Sequence, residues 1–222
     1  MLIALLSDIH ANREALAACL AHAEQSKAER YIFLGDYVGY GADPGWVVDC
    51  VAAHVARGAT ALLGNHDAAV LSPSERMNAI AEEAVAWTRT QLDAEQSAFL
   101  RDLPARVEEH DRLFVHANPW APTGWDYVSG RETAARAFQT TSCRQIFCGH
   151  VHKPALYNMT ATAKIIILWA DFVRKLGTLM ADSLAVRLQG GLPYMRRRLA
   201  VARIQRTARV DGNDPRSFLL GR

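Results

Sequence analysis

The chain has 222 residues, half of them hydrophobic, and a net charge of +2. That is enough to bury one substantial core, and it lacks the charge excess of a dedicated nucleic-acid or membrane binder. The charge is uneven: residues 1–163 carry 13 Lys+Arg against 19 Asp+Glu, and residues 164–222 carry 12 against 4. The basic C-terminal part reads as a solvated surface, with an anionic polymer or lipid as its alternative partner. Cys19, Cys50, Cys143 and Cys148 show no C-x-x-C spacing and read as small buried hydrophobes in a reducing compartment. The opening Met-Leu-Ile-Ala-Leu-Leu has no positive n-region or cleavage site and reads as a first strand, not a signal peptide. The apolar run Ile165 to Trp169 is too short to span a bilayer. A cytoplasmic protein is expected.

In chain order, the first strand ends at Asp8-Ile9-His10. Asn12 is placed to cap a helix whose stripe is Leu16, Cys19, Leu20 and Ala23. A second strand ends at Gly35-Asp36. A glycine-rich loop then leads to Asp43-Pro44, an N-cap with Pro at the first helical position, and Val47, Cys50, Val51 and Val55 face inward. A third strand ends at Gly64-Asn65-His66-Asp67. Ser72-Pro73-Ser74-Glu75 has the form of a capping box and predicts a helix with Met77, Ile80, Ala84 and Trp87 inside. Asp93 to Gln96 opens another helix, which Pro104 ends. The order β-α-β-α-β-α predicts parallel strands with right-handed crossovers. From residue 105 the pattern changes: 106–109 and 113–116 predict a hairpin, and strands at 145–149 and 164–169 extend a second, mixed sheet. Residues 176–188 have mixed helical spacing, broken by Gly190-Gly191-Leu192-Pro193. Arg196-Arg197-Arg198 is expected at the surface, and 170–210 is given no element.

Five short apolar runs, Leu2 to Ser7, Tyr31 to Leu34, Thr60 to Leu63, Leu113 to Val115 and Gln145 to Cys148, each end on a polar cluster: Asp8-x-His10, Gly35-Asp36, Gly64-Asn65-His66-Asp67, His116 and Gly149-His150-x-His152. Strand C-termini are where an open α/β sheet keeps its site. Mixed carboxylate, amide and imidazole donors suit hard-to-borderline divalent cations, and too many carboxylates would cancel the charge that activates a water. In an extended segment residues i and i+2 point to one side, so each Asp-x-His or His-x-His pair can converge. His22, His54 and His110 lie outside these clusters and read as structural. Gly39-x-Gly41 reads as a flexible loop at the pocket rim, since the rest of a nucleotide fingerprint is missing. Trp120 and Trp125 either stack on a substrate or pack beneath the loop.

The five motifs, in this order and with these gaps, resemble those of the calcineurin-like metallophosphoesterase family, in its compact bacterial and archaeal form, over residues 1 to about 160. The resemblance implies a four-layer α/β sandwich, two mixed sheets flanked by helices, in a single domain over 1–222 whose residues 170–210 match the family poorly. It implies two divalent metal ions, manganese first, with iron, zinc or nickel as alternatives. Asp8, His10 and His152 would hold one, Asn65, His116 and His150 the other, with Asp36 bridging. His66 would contact the phosphate and act as general acid, with Asp67 beside it as support. The activity implied is hydrolysis of small or nucleotide-like phosphomonoesters or phosphodiesters by a metal-bridging hydroxide, with no membrane or nucleic-acid partner. Gly39-Tyr40-Gly41 stands where the serine/threonine protein phosphatases of the family carry Asp-Arg-Gly, so the Asp that orients the catalytic His and the Arg that grips phosphate are both missing. Residues 210–218 match the family's C-terminal strand loosely. The rival is a non-catalytic scaffold of the same fold, against which the seven ligands and His66 speak; a nuclease using the basic tail stands third.

Overall fold

The computed structural model describes residues 2–72 and 77–160, with side chains through Met159, and the strand backbones at 165–168, 185–187 and 195–201. The capping box expected at 72–75 falls mostly on residues 73–76, and the motif expected at 210–218 likewise lies outside the described residues.

The first half follows the β-α alternation. Strands β1 (Leu2–Leu6), β2 (Arg30–Phe33) and the two-residue β3 (Thr60–Ala61) pair in parallel, joined by helices α1 (Arg13–Gln25) and α2 (Pro44–Val55). The Asn12 side chain accepts the Ala15 N–H at 2.9 Å and caps α1. Asp43 precedes Pro44 as expected but makes no side-chain capping bond. Three short helices follow: α3 (Asn65–Leu71), α4 (Ala79–Gln91) and α5 (Ala94–Arg101), the last with a reciprocal Asp93–Gln96 capping box. The second sheet contains β4 (Arg106–Glu109), β5 (Arg112–Val115), β6 (Gln145–Cys148), β7 (Ala155–Thr160) and β8 (Ile165–Leu168), with α6 (Arg131–Thr140) between β5 and β6. Two further strands lie in the stretch that sequence reading left without elements. β9 (Ala185–Arg187) joins β1 antiparallel, and β10 (Met195–Val201) inserts between β6 and β7. The sheet orders are β3-β2-β1-β9 and β4-β5-β6-β10-β7-β8, and both are mixed.

Period-two alternation distributes the apolar side chains into three cores. Ala4, Leu6 and Phe33 face the helices that cover the first sheet, with Leu16, Val47, Val48 and Val51. Ile3, Leu5, Ile32 and Leu34 face the other way, onto Phe114 and Phe147 of the second sheet, whose rings stack at 5.3 Å. Leu113, Val115, Ile146 and Cys148 pack on Ala134, Ala137 and Phe138 of α6. The layers therefore run helices, sheet, sheet, helix, as expected for a four-layer α/β sandwich. Among the described residues no helix is long and apolar enough to cross a membrane.

One helix face differs from expectation. On α4, Ile80 is 74% and Trp87 42% exposed, while Ala81, Val85 and Thr88 are buried. Asn78, not Ser72, is the N-cap, accepting the Ala81 N–H at 3.0 Å. Small residues on the inner face let the helix lie close to its neighbours, which the bulkier stripe would prevent. Helix α6 escaped notice because its buried stripe is mostly alanine. Strand β10 escaped because Arg196-Arg197-Arg198 reads as surface; the side chains there lie outside the described ones. At 185–187 pairing with β1 overrides the helical spacing.

Candidate metal centre

The five polar clusters converge where the C-terminal ends of β1, β2, β3, β5 and β6 meet. Asp8 and Asp36 are buried at 5% and 1% exposure, and His116 is fully buried. Ligand atoms of Asp8, His10, Asp36 and His152 lie within 4.8 Å of one another, and so do those of Asp36, His116 and His150. Asp36 belongs to both groups. Asn65 joins the second group, with Oδ1 3.1 Å from His116 Nε2. All seven expected ligands are thus brought together, and in the expected two sets.

The backbone reaches this arrangement by a route other than the extended segments the i, i+2 spacing suggested. Asp8, His10, Asp36, His150 and His152 all have φ between 50° and 66°, the left-handed region. Tyr40 and Trp125, beside them, are left-handed too. Each such non-glycine residue costs about 1–3 kcal/mol, and strain of this kind concentrates at functional sites. The ligands converge because each turn is tight. Asn65, in turn, is the first residue of α3, so a helix N-terminus carries it.

Backbone carbonyls fix the tautomers. His10 Nδ1 lies 3.1 Å from the Val38 oxygen, His116 Nδ1 2.8 Å from Leu34 oxygen and His150 Nε2 2.8 Å from Trp125 oxygen. A carbonyl only accepts, so each ring proton sits there and the other nitrogen presents a lone pair to the site. Acceptors then crowd together. The lone pairs of His10 Nε2 and Asp8 Oδ1 both point at His152 Nε2, at 3.1 and 3.2 Å, where one proton cannot serve both fully. His116 Nε2 is 3.3 Å from Asp36 Oδ2 as well as 3.1 Å from Asn65 Oδ1. Convergent lone pairs repel unless something positive lies among them. Burial opposes charging of His116, yet Asp36 and Asp8 push it up to about 9, the proton relieving the crowding. Burial likewise works to raise Asp36, but His116, His66 and His10 hold its carboxyl far below the usual range. A divalent cation satisfies the same lone pairs and displaces that proton, so the donor set fits such ions.

His66 is 5% exposed and lies against His10 and Tyr40, at ring distances of 4.7 Å each. Its backbone N–H donates to Asp36 Oδ1 at 2.9 Å, so it is tied to the shared carboxylate while its ring lines the cavity. Burial presses this imidazole down to about 4, leaving it neutral at pH 7. Nδ1 is buried with no hydrogen-bond partner among the described residues. It faces Gly39, where a Cβ would stand 2.3 Å from it. Gly39 (φ +84°) is buried and tightly packed, correcting the reading of a flexible rim.

Asp67 lies next to His66 in the chain but turns away from it. Its carboxylate accepts the N–H groups of Asp36 (2.8 Å), Tyr37 (2.9 Å), Val38 (3.3 Å) and Gly64 (2.9 Å). Burial and Asp36 raise its pKa to about 7, against four donors that favour the ionised form. It therefore clamps the loop that carries Asp36, and any support it lends His66 is through that loop.

The cavity above the centre has a volume of about 440 Å³. Tyr40, Met77, Asn78, Trp125 and Tyr127 line it, beyond the expected residues. Of these, Trp125 alone was a candidate substrate contact in the sequence; for Tyr40 and Tyr127 the available signal was an aromatic in a loop that follows a ligand-bearing strand end. Trp125 lines the cavity, whereas Trp120 packs: its Nε1 donates to Asp126 at 3.1 Å and Arg136 covers its ring at 4.5 Å. His22 and His54 bond to Ser26 and to the Cys50 carbonyl, and His110 sits in the β4–β5 turn, all away from the centre.

Known proteins resemble this chain in sequence and fold. Residues 1–154 match the family model described as calcineurin-like phosphoesterase. An uncharacterized protein of Methanocaldococcus jannaschii is 35% identical over 159 residues, which cover 69% of this chain and 63% of that protein, so the chain spans less than two thirds of the relative's length. The crystal structure of a metallophosphoesterase from Sphaerobacter thermophilus is similar with a TM-score of 0.66 and 29% identity, covering 90% of this chain and 75% of that one. A match running from the first strand past the last ligand cluster, on a fold that gathers all five motifs, places this chain in the calcineurin-like phosphoesterase family.

Proposed function

We propose that the chain hydrolyses small phosphate monoesters or diesters at a centre built for two divalent cations. The observation that carries this reading is the pair of buried acceptor clusters sharing Asp36. Two cations held there supply Lewis-acid charge for the phosphoryl oxygens and acidify a water. Asp8, His10 and His152 with Asp36 form one position; Asn65, His116 and His150 with Asp36 form the other. The donor types are compatible with manganese, our first choice, and with iron, zinc or nickel.

The chain's own residues do the rest. His66 reaches the cavity beside the shared carboxylate and, among the described residues, has no Asp to orient it, matching the Gly39-Tyr40-Gly41 wording of the loop. It hydrogen-bonds the ester and delivers a proton to the departing oxygen; a phosphate dianion beside it favours the protonated ring. Asp67 holds the Asp36 loop in register. Four cysteines that form no disulfide suit a reducing cytoplasm, where we place the protein.

Metal analysis of the purified protein, combined with turnover of p-nitrophenyl phosphate and its phosphodiester in added Mn²⁺, tests the proposal. Close to two equivalents of metal and turnover of at least one ester are expected. Absence of metal together with absence of turnover would overturn it in favour of a non-catalytic scaffold.

A further inference from the structure

Among the described residues four large hydrophobic side chains are exposed, and two of them, Tyr40 (44%) and Tyr127 (55%), stand on the rim of the metal-centre cavity. Isolated exposed aromatics need no explanation, but a pair on one cavity does. Both rings are held in place. Tyr40 lies 4.7 Å from the His66 ring and 4.9 Å from His10, and Asn78 lines the cavity with it. Asn78 is itself fixed, because its Oδ1 caps α4. Tyr127 lies flat on His150, ring centroids 4.3 Å apart and planes 10° apart. The loop that bears it is tied down by buried Asn118, which accepts the Ala121 N–H at 2.8 Å and donates to the Asp126 carbonyl at 3.1 Å.

With one face of Tyr127 on His150, the exposed part of the ring is open to continue a stack. Tyr40 stands next to His66, the residue proposed to give the leaving oxygen its proton, and both line the cavity. We propose that Tyr40 and Tyr127 form a stacking slot for the leaving group, so that the substrates are phosphate esters of alcohols bearing a planar aromatic ring, as nucleoside monophosphates do. The inference rests on the phosphoesterase reading and deepens it. Flat rings attract planar heterocycles by dispersion and quadrupole interactions that a sugar or short alkyl chain offers only weakly. The cavity, at about 440 Å³, falls within the size range of small-molecule sites.

Adenosine 5′-monophosphate and ribose 5-phosphate share the same ester bond and the same alkoxide leaving group, and differ in the base. With Mn²⁺-loaded protein, kcat/KM for the nucleotide should exceed that for the sugar phosphate by about 5- to 150-fold, the range carried by one base–aromatic stack. Tyr127→Leu should bring the ratio near one and Tyr127→Phe should keep it. Equilibrium dialysis provides a second reading: adenosine, which has no phosphate, should be retained by the wild type and by Tyr127→Phe but not by Tyr127→Leu. Equal kcat/KM for the two esters, or no retention of adenosine, would overturn the slot and leave the phosphoesterase reading standing. No turnover of either monoester or of the p-nitrophenyl phosphodiester, with adenosine still retained, would overturn the phosphoesterase reading alone.

Discussion

His66 shows how a neighbouring pair of residues divides its work. Asn65 turns its amide oxygen to His116 while His66 points its ring into the cavity, and the His66 backbone N–H anchors Asp36. The acid role can be separated from metal binding by the choice of leaving group. A general acid contributes about 10²–10⁴-fold, most when the departing oxygen is basic. His66→Ala should retain metal, slow alkyl phosphate hydrolysis by that order, and slow p-nitrophenyl esters much less, because p-nitrophenolate leaves without a proton. Equal losses on the two esters would leave His66 as a phosphate-binding group; loss of metal would make it a ligand. The type and position of the seven candidate ligands could be read from strand-end motifs. The left-handed backbone of five of them could not, because Asp and His favour that region only weakly and none of the five is Gly or Asn.

At the scale of the element, the site is five strand-end segments, and the segment that carries Asp36 shows how one is held. The β2–α2 loop hangs on Asp67, and its Tyr37 side chain is buried with the hydroxyl donating to the Leu62 carbonyl at 2.7 Å. Asp67→Ala would strand up to four N–H donors, each buried unsatisfied donor costing about 1–3 kcal/mol. Thermal unfolding should show a loss of at least about 3 kcal/mol, and metal affinity should fall by roughly 10–100-fold, as when outer partners of ligands are removed. An unchanged melting temperature and unchanged metal affinity would show that the clamp is idle. The adjacency His66-Asp67 suggested a direct partnership. Helix α3 decides otherwise, because its first turn brings the carboxylate back onto the Gly64 N–H and across to the loop. The phase of α4 was misread for a related reason: Ile80 and Trp87 obey helical spacing, but Asn78 sets which face meets the core.

At the scale of the molecule, the two sheets close around the centre. The first sheet and its loops supply Asp8, His10, Asp36 and Asn65; the second supplies His116, His150 and His152. The sheets already meet through Ile3, Leu5, Ile32, Leu34, Phe114 and Phe147, so cations bound among these residues would join surfaces that apolar packing has aligned. The β-α order made the first sheet legible, and the hairpin with two later strands announced the second. The strands at 185–187 and 195–201 were hidden because long-range pairing, rather than local pattern, decides them. The shared carboxylate is the claim on which the rest depends. The metal content of Asp36→Asn, measured beside the wild type, tests it most directly. Two equivalents in the wild type and loss of both together in the variant are expected, since one oxygen set serves both positions; loss of a single equivalent would contradict the bridge.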